Sequence, residues 1–544
     1  MSIQIGKQHE MRKQALGLLC VWMLILTGCS PEAAKTTTPE SAPLRIGTPM
    51  HIRQANLLAD YGYNILAMLA THDTLVRFDP AMNPYPQLAQ SWHASPDGLE
   101  WQFHIRPDAR WHDGEPVTAA DVQFTFEYLG DHHPASGWIK DLVREIRVEG
   151  QTVSFSLVKP YSLFLINGGF IVRVLPQHIW RNVADPLQPG DAAVTVGCGP
   201  FIFDGLDSRG ARIAFRRNDG YYGSPPSVNR LEFLLGQTFD VMTLSLLRGD
   251  IDLFYKYASG FSPPHLPRLA ENSNIRLQQC DSMGIPAALG FNLKSLPMSS
   301  LDFRKALALA LDYEKIARSL LGASGKTPTG GFIPPAFSYC LEMPPLSPTP
   351  EESRRLLDAT GFTDSDNDGI RNLPGGENIV LTLLTRSDLE GADALLPIIS
   401  HNLKEIGLDL RIERADLSTW LVQIQQDRFD MALFRATPWG MVMDAGCAVG
   451  YFDSRRKGNG VLANVDDPAF HALCDQVLET VEPSVRHRLY HEIQRYYANN
   501  LPAVALCWAV NTYPALNRWQ GLTINQIEGG LINRQTFTNL RRTP

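Results

Sequence analysis

The side chains most able to do chemistry are gathered in one run, Arg435-Ala436-Thr437-Pro438-Trp439-Gly440-Met441-Val442-Met443-Asp444. It follows the apolar stretch Phe429 to Phe434, which reads as a strand, and ligand crevices of α/β proteins open beyond the carboxyl ends of strands. Arg435 opens the run as a candidate contact. Trp439 would supply a flat apolar wall for variable side chains or ring systems. An ionised Asp444 in a desolvated cleft would hold a ligand ammonium through a charge-assisted hydrogen bond. In the competing reading Trp439 belongs to the core and Asp444 caps the segment that follows.

A second group of oxygens occurs in Asp364-Ser365-Asp366-Asn367-Asp368-Gly369. Carboxylates at loop positions one, three and five, with glycine at six, resemble an EF-hand. A calcium loop also needs a bidentate carboxylate at position twelve. Gly375 stands there, and Glu377 comes two residues late. The run therefore reads as a polar turn, and no cofactor is expected. His132-His133, before Pro134, reads as a solvated loop. No G-x-S-x-G, H-E-x-x-H or Walker pattern is present; Gly325-Lys326-Thr327 lacks the upstream glycine because Leu320 stands in its place. No C-x-x-C pair occurs, so a structural zinc is not expected. An enzyme is not expected either; a hydrolase, as the rival, would need a nucleophile and base within hydrogen-bond reach.

The elements that must position these residues are legible from Asp73 onward. Asn83, Pro84 and Pro86 break the chain, and Gln87 to Trp92 reads as a short buried turn. Pro96-Asp97-Gly98 is a turn signal. Trp101, Phe103 and Ile105 alternate with Gln102, His104 and Arg106, the period of a half-buried strand. Thr118 stands three residues before Asp121, as in a capping box, and Val122, Phe126 and Leu129 recur at helical spacing.

This stretch carries a resemblance. LVRFDP, LAQSW and SPDGLEWQFHIRPDARWHDGEPVTAADV are similar to the signature of the extracellular solute-binding protein family 5, the peptide- and nickel-type receptors of ABC importers. Gly197-Cys198-Gly199-Pro200-Phe201 resembles the family's Gly-Thr-Gly-Pro-Tyr re-entry motif, with Cys198 and Phe201 as departures. The resemblance implies a type II periplasmic-binding-protein-like α/β fold: two hinged lobes and an inserted third domain. It places Trp439 and Asp444 on the family's cleft loop. Trp138, in Gly137-Trp138-Ile139-Lys140-Asp141-Leu142, resembles the aromatic that faces ligand in the nickel-type branch, although Ala135 replaces the arginine expected just before it. Arg455, Arg456 and Lys457 stand where that branch has a histidine. Arg173 is the candidate to contact a ligand carboxylate instead.

Chain length and compartment fit the resemblance. The 544 residues exceed one ordinary core, so several domains are expected. With 44% hydrophobic and 19% charged residues and a net charge of −8, the composition is globular and lacks the basic balance of a nucleic-acid binder. Arg12 and Lys13 precede an apolar run, Ala15 to Leu26, too short for a stable span and typical of a secretory signal. It ends in Leu26-Thr27-Gly28-Cys29, similar to a lipobox whose cysteine is lipidated; an ordinary signal with an incidental cysteine is the alternative. Residues 29–43 are polar and proline-bearing, a tether with no means of building a core. No later segment is apolar enough to cross a membrane. Cys198, Cys280, Cys340, Cys447, Cys474 and Cys507 remain, either as disulfides or as buried thiols.

The expected organisation is a signal over 1–28, a tether over 29–43, and a first lobe over 44–78. An inserted domain over 79–198 follows, then a return to the first lobe over 199–283. The second lobe covers 284–505, and 506–544 go back to the first. Residues 51–70 read as a helix with Leu57, Leu58, Tyr61, Ile65 and Leu69 on its apolar face. The expected function is capture of short peptides or peptide-like solutes by a monomer, periplasmic and held to the membrane only by its lipid. Delivery would be to an ABC permease and its ATPase. The alternative cargo is a nickel chelate held through its organic carboxylates. A solute sensor is a further rival.

Overall fold

Alternation of apolar and polar residues becomes alternation of burial along Glu100–Ile105, where Trp101, Phe103 and Ile105 turn inward. The computed structural model describes residues 42–188, 192–207, 209–257, 259–437, 449–456 and 462–542. Glu100–Ile105 lies in a four-stranded antiparallel sheet with Ala89–Ala94, Thr152–Leu157 and Val143–Glu149. The expected buried turn over 87–92 is instead mostly strand, because the alternating partner Glu100–Ile105 offers it a ladder. Helix Ala119–His132 covers this sheet. Its capping box is formed: Thr118 Oγ1 accepts from Asp121 N at 3.4 Å, and Asp121 Oδ2 accepts from Thr118 N at 2.8 Å. Trp101, Phe103, Phe126, Phe155 and Phe164 meet in one aromatic cluster. Burying each such ring contributes about 2–3 kcal/mol.

The main sheet has twelve strands. One half contains Leu44–Gly47, flanked in parallel by Arg230–Leu234 and Leu253–Phe254, with Arg212–Arg217 and Phe201–Leu206 continuing antiparallel. The other half contains Val380–Arg386, parallel to both Asp409–Ala415 and Met431–Ala436, and then Ile285–Phe291. The 14-residue strand Ala503–Leu516 joins the halves. Its first part pairs with Ile285–Phe291 and its last part with Ile275–Asp281. A separate apolar core, drawn from residues 287 to 506, fills the second half around Phe291, Phe303, Leu383, Ile399 and Leu433.

The return of the chain end is fixed by a buried charge network. Asp73 and Arg77 are fully buried. Arg534 Nη2 donates to Asp73 Oδ1 at 2.6 Å, Tyr222 OH donates to Asp73 Oδ2 at 2.6 Å, and Arg77 Nη1 donates to Glu528 Oε1 at 3.2 Å. The two arginines and the tyrosine hold Asp73 below the usual carboxylate range, although burial alone would raise it. At the re-entry motif a Cβ on Gly197 would lie 1.9 Å from Thr71 O, so only glycine fits that crossing.

One helix differs from the sequence expectation. It spans Tyr61–Ala70 rather than 51–70, because Asp60 caps it by accepting from Tyr63 N at 2.9 Å. Tyr61 thereby becomes a first-turn residue and is 67% exposed instead of joining the apolar face. Among the described residues no helix is long and apolar enough to cross a membrane. Cys198, Cys280, Cys340 and Cys507 are free thiols. The tether, the proposed lipid cysteine Cys29 and Cys447 fall largely or wholly outside the described residues, the tether reaching them only at Ala42 and Pro43.

Candidate functional site

The strand Met431–Ala436 ends two residues later than its apolar pattern suggests, so Arg435 sits at its carboxyl end with its side chain exposed. Thr437 follows. From the other half of the sheet, the end of Leu253–Phe254 leads into Lys256 and Tyr257, and the first turn of helix Tyr61–Ala70 presents Tyr61. These groups face one another across the cleft between the halves. The Tyr61 and Tyr257 rings meet edge to face at 6.1 Å. The Tyr257 hydroxyl hydrogen-bonds Thr437. Lys256 pairs with Glu390, at the entrance of helix Ala392–Glu405, and its ammonium lies 5.0 Å from the Phe239 ring centre.

Arg173 is buried behind the tyrosines and donates from Nη1 to Ile171 O at 2.6 Å. Burial and the charge of Arg77 lower its pKa to about 10, against the pull of Tyr257 and Tyr61. The Tyr61 phenol is raised by the protein atoms around it and drawn back by its bond to Tyr257 and by Arg435 and Arg173. Arg435 also adds to the stabilisation of Asp388, whose carboxyl is held low chiefly by its hydrogen bond from Arg386. Arg435 and Arg173 thus both act electrostatically on the Tyr61 phenol. A cavity of about 280 Å³ continues from Arg435 and Thr437 toward the joining strand, walled by Phe239, Phe261, Ile285 and Leu320. The arrangement can take a carboxylate by bidentate hydrogen bonds, stack apolar groups on tyrosine, and close over them.

Of the residues singled out in the sequence, Arg435 lines the cavity, whereas Arg173 is buried and does not line it. Trp138 begins the short helix Trp138–Leu142 beside the four-stranded sheet and is half-buried against the core; it does not line the cavity. Trp439 and Asp444 lie outside the described residues. Asp364, Asp366 and Asp368 bring carboxylate oxygens within 4.8 Å of one another. Asp364 accepts from Asp368 N and Gly369 N, and Asp368 accepts from Ile370 N and Asn378 Nδ2. These carboxylates close the turn on itself, and Gly375 adds no ligand, so the residues fit calcium poorly. Sequence reasoning missed Tyr61, Lys256, Tyr257 and Glu390. For Lys256 and Tyr257 a signal existed: they follow a strand just as Arg435 does.

The family model of the bacterial extracellular solute-binding proteins, family 5 Middle, matches residues 83–457. The chain is 25% identical over 468 residues to a probable D,D-dipeptide-binding periplasmic protein, DdpA, of Escherichia coli (strain K12), covering 83% of this chain and 84% of that one. It is 22% identical over 502 residues to the nickel-binding periplasmic protein of the same organism, covering 89% and 90%. The solved structure of the oligopeptide-binding protein AppA from Bacillus subtilis, in complex with a nonapeptide, superposes with a TM-score of 0.72 at 20% identity, covering 92% of this chain and 99% of that one. The fold is that of the type II periplasmic binding proteins, with two hinged lobes and an inserted domain. The chain belongs to the bacterial extracellular solute-binding proteins, family 5.

Proposed function

We propose that the protein captures short peptides or peptide-like solutes in the cleft between the sheet halves and hands them to an ABC permease with its ATPase. The observation that carries this reading is the meeting of groups from the two sides of the cleft: the Tyr61 and Tyr257 rings pack edge to face, Tyr257 hydrogen-bonds Thr437, and Arg435 beside it lines the cavity. Guanidiniums suit a ligand carboxylate, tyrosines suit its variable body, and closure is the natural consequence of contacts made by both halves. Asp444 and Trp439 are assigned to the ligand's amino end and side chains. Trp138 remains a candidate contact. The protein works as a monomer in the periplasm, held to the membrane by acyl chains on Cys29. Mass spectrometry of the amino-terminal peptide tests the anchor: an unmodified Cys29 in the mature chain would remove it.

The same guanidinium would hold a nickel chelate by its organic carboxylates, and this is the second reading. Ligand released from gently purified protein separates the two. Peptides in the released fraction support the first; a metal chelate without peptides replaces it with the second.

Turnover of the ligand is not part of the proposal. Two serine–histidine contacts occur among the described residues: His133 Nδ1 with Ser136 Oγ at 3.0 Å, three positions apart in one turn, and Ser454 Oγ with His471 Nε2 at 3.2 Å, the latter using a ring nitrogen that also lies 3.2 Å from Val465 O and 3.5 Å from Asp453 Oδ1. A catalytic base needs its second nitrogen, not the same one, on the carboxylate.

A further inference from the structure

Helix Pro483–Asn500 carries His487 and His491 four residues apart, on one face. Their ring centroids are 4.7 Å apart and their planes cross at 66°. Both rings are aimed by consecutive backbone carbonyls of the segment that packs across the helix. His487 Nε2 lies 3.4 Å from Ser338 O, and the Tyr339 backbone hydrogen-bonds the His491 ring. His491 Nε2 is buried without a hydrogen-bond partner, so the ring meets Tyr339 through Nδ1–H. A neutral imidazole that donates from one nitrogen keeps a lone pair on the other. Those lone pairs are on Nδ1 of His487 and Nε2 of His491. A carbonyl behind each ring, fixing tautomer and aim, is the support that metal-ligating histidines use.

The support is itself rigid. Gln494 Nε2 donates to Tyr339 O at 2.8 Å, Leu341 N donates to Gln494 Oε1 at 2.7 Å, and the Tyr339 and Tyr490 rings pack at 4.4 Å. Neither this helix nor the segment 333–341 contributes to the cleft cavity.

We propose that His487 and His491 form a transition-metal site separate from the cleft, taking a late first-row divalent cation through two imidazole nitrogens, with water completing its coordination. Imidazole suits copper, nickel and zinc, and Cu²⁺ binds such donors most tightly of the divalent series. Arg495, one turn further on, repels the cation and keeps the affinity below that of a site with three protein ligands.

The test titrates the mature chain with Cu²⁺ alone in a non-coordinating buffer at neutral pH, by calorimetry and electron paramagnetic resonance. The chain has fourteen histidines, so the readout is the difference between wild type and variants. His487→Ala and His491→Ala should each weaken one class of copper site by at least about tenfold, the loss typical even of removing a ligand's outer support. Each should also remove a two-nitrogen hyperfine signature, with circular dichroism unchanged. His487→Gln, at the exposed ring, decides the matter if His491→Ala unfolds. Equal stoichiometry, affinity and spectrum in wild type and the folded variants overturns the proposal.

Discussion

Glu390→Gln removes the carboxylate charge from the Lys256–Glu390 pair, which links the two halves of the sheet across the cleft. Lys256 is 18% and Glu390 60% exposed at the side chain, so water screens the pair and its contribution is about 0.2–1 kcal/mol. That energy is present only when the halves are closed. Its loss lowers the closed-to-open ratio by up to about fivefold. If the free protein is mostly open, the whole factor passes into apparent ligand affinity. Lys256 also lies over the Phe239 ring, so Lys256→Gln loses two contacts while Glu390→Gln loses one. The double variant therefore isolates the ion pair through the coupling energy of the cycle. Small-angle scattering on the free protein and calorimetry with a bound peptide read the two consequences. At low salt, Glu390→Gln should bind more weakly by up to about fivefold where the free protein is mostly open, and should be more extended where it is substantially closed. At 1 M salt, where screening reaches about 3 Å, wild type should approach the variant. A coupling energy indistinguishable from zero, with radius of gyration unchanged at low salt, refutes the reasoning.

Further expectations follow from the cleft and the buried groups. Arg435→Ala should weaken a carboxylate-bearing ligand by about ten- to a hundredfold, the worth of hydrogen bonds to a charge, and spare an amidated analogue, measured by calorimetry. Asp73→Asn leaves Arg534 and Arg77 buried beside a neutral group and should cost about 3–5 kcal/mol in urea unfolding. His112 is held neutral, its pKa lowered to about 4 chiefly by burial, whereas the unfolded chain protonates near 6.5. The stability it contributes is thus complete above about pH 6.5 and falls as pH drops toward 4, by roughly 3 kcal/mol in all. Unfolding curves at intervals across that window should show the decline, and His112→Gln should flatten it. Gly197→Ala, whose Cβ would meet Thr71 O at 1.9 Å, should fail to accumulate as folded protein.

What the sequence made legible was local. The Thr118–Asp121 cap and the Trp101–Phe103–Ile105 alternation depend on residues a few positions apart, and both form as read. Arg435 was legible because a strand end is a local feature with a general consequence. The contacts that make the cleft are not local. Lys256 and Glu390 are 134 positions apart, and Asp73 and Arg534 are 461 apart. No periodicity relates such pairs; only the sheet order brings them together. Tyr61 was misread for a different reason. Aromatic residues at helical spacing usually face the core, and here the Asp60 cap starts the helix late enough to turn the ring into the cleft.

The sheet order also decides where the molecule can bend. Ala503–Leu516 is one strand, yet it serves two ladders: Ala503 to Cys507 pair with Ile285–Phe291, and Val510 to Leu516 pair with Ile275–Asp281. The register slips at Ala287/Ala288, beside Cys507. Between the two ladders Ala509 and Trp508 pair with Gly325–Lys326, and Ala509 O also accepts from Ser282 N at 2.8 Å. A change of dihedral over Trp508 and Ala509 would separate the halves with each ladder whole, at the cost of the pairing with Gly325–Lys326 and the bond from Ser282 N. Ala509 and Asn511 line the same cavity as Arg435 and Thr437, so ligand entering there touches the bending point as well as both walls. On the proposed reading capture and closure become one equilibrium: whatever the ligand would gain by meeting Arg435 and Tyr61 together is gained only in the bent-shut form, and that differential contact would shift the population.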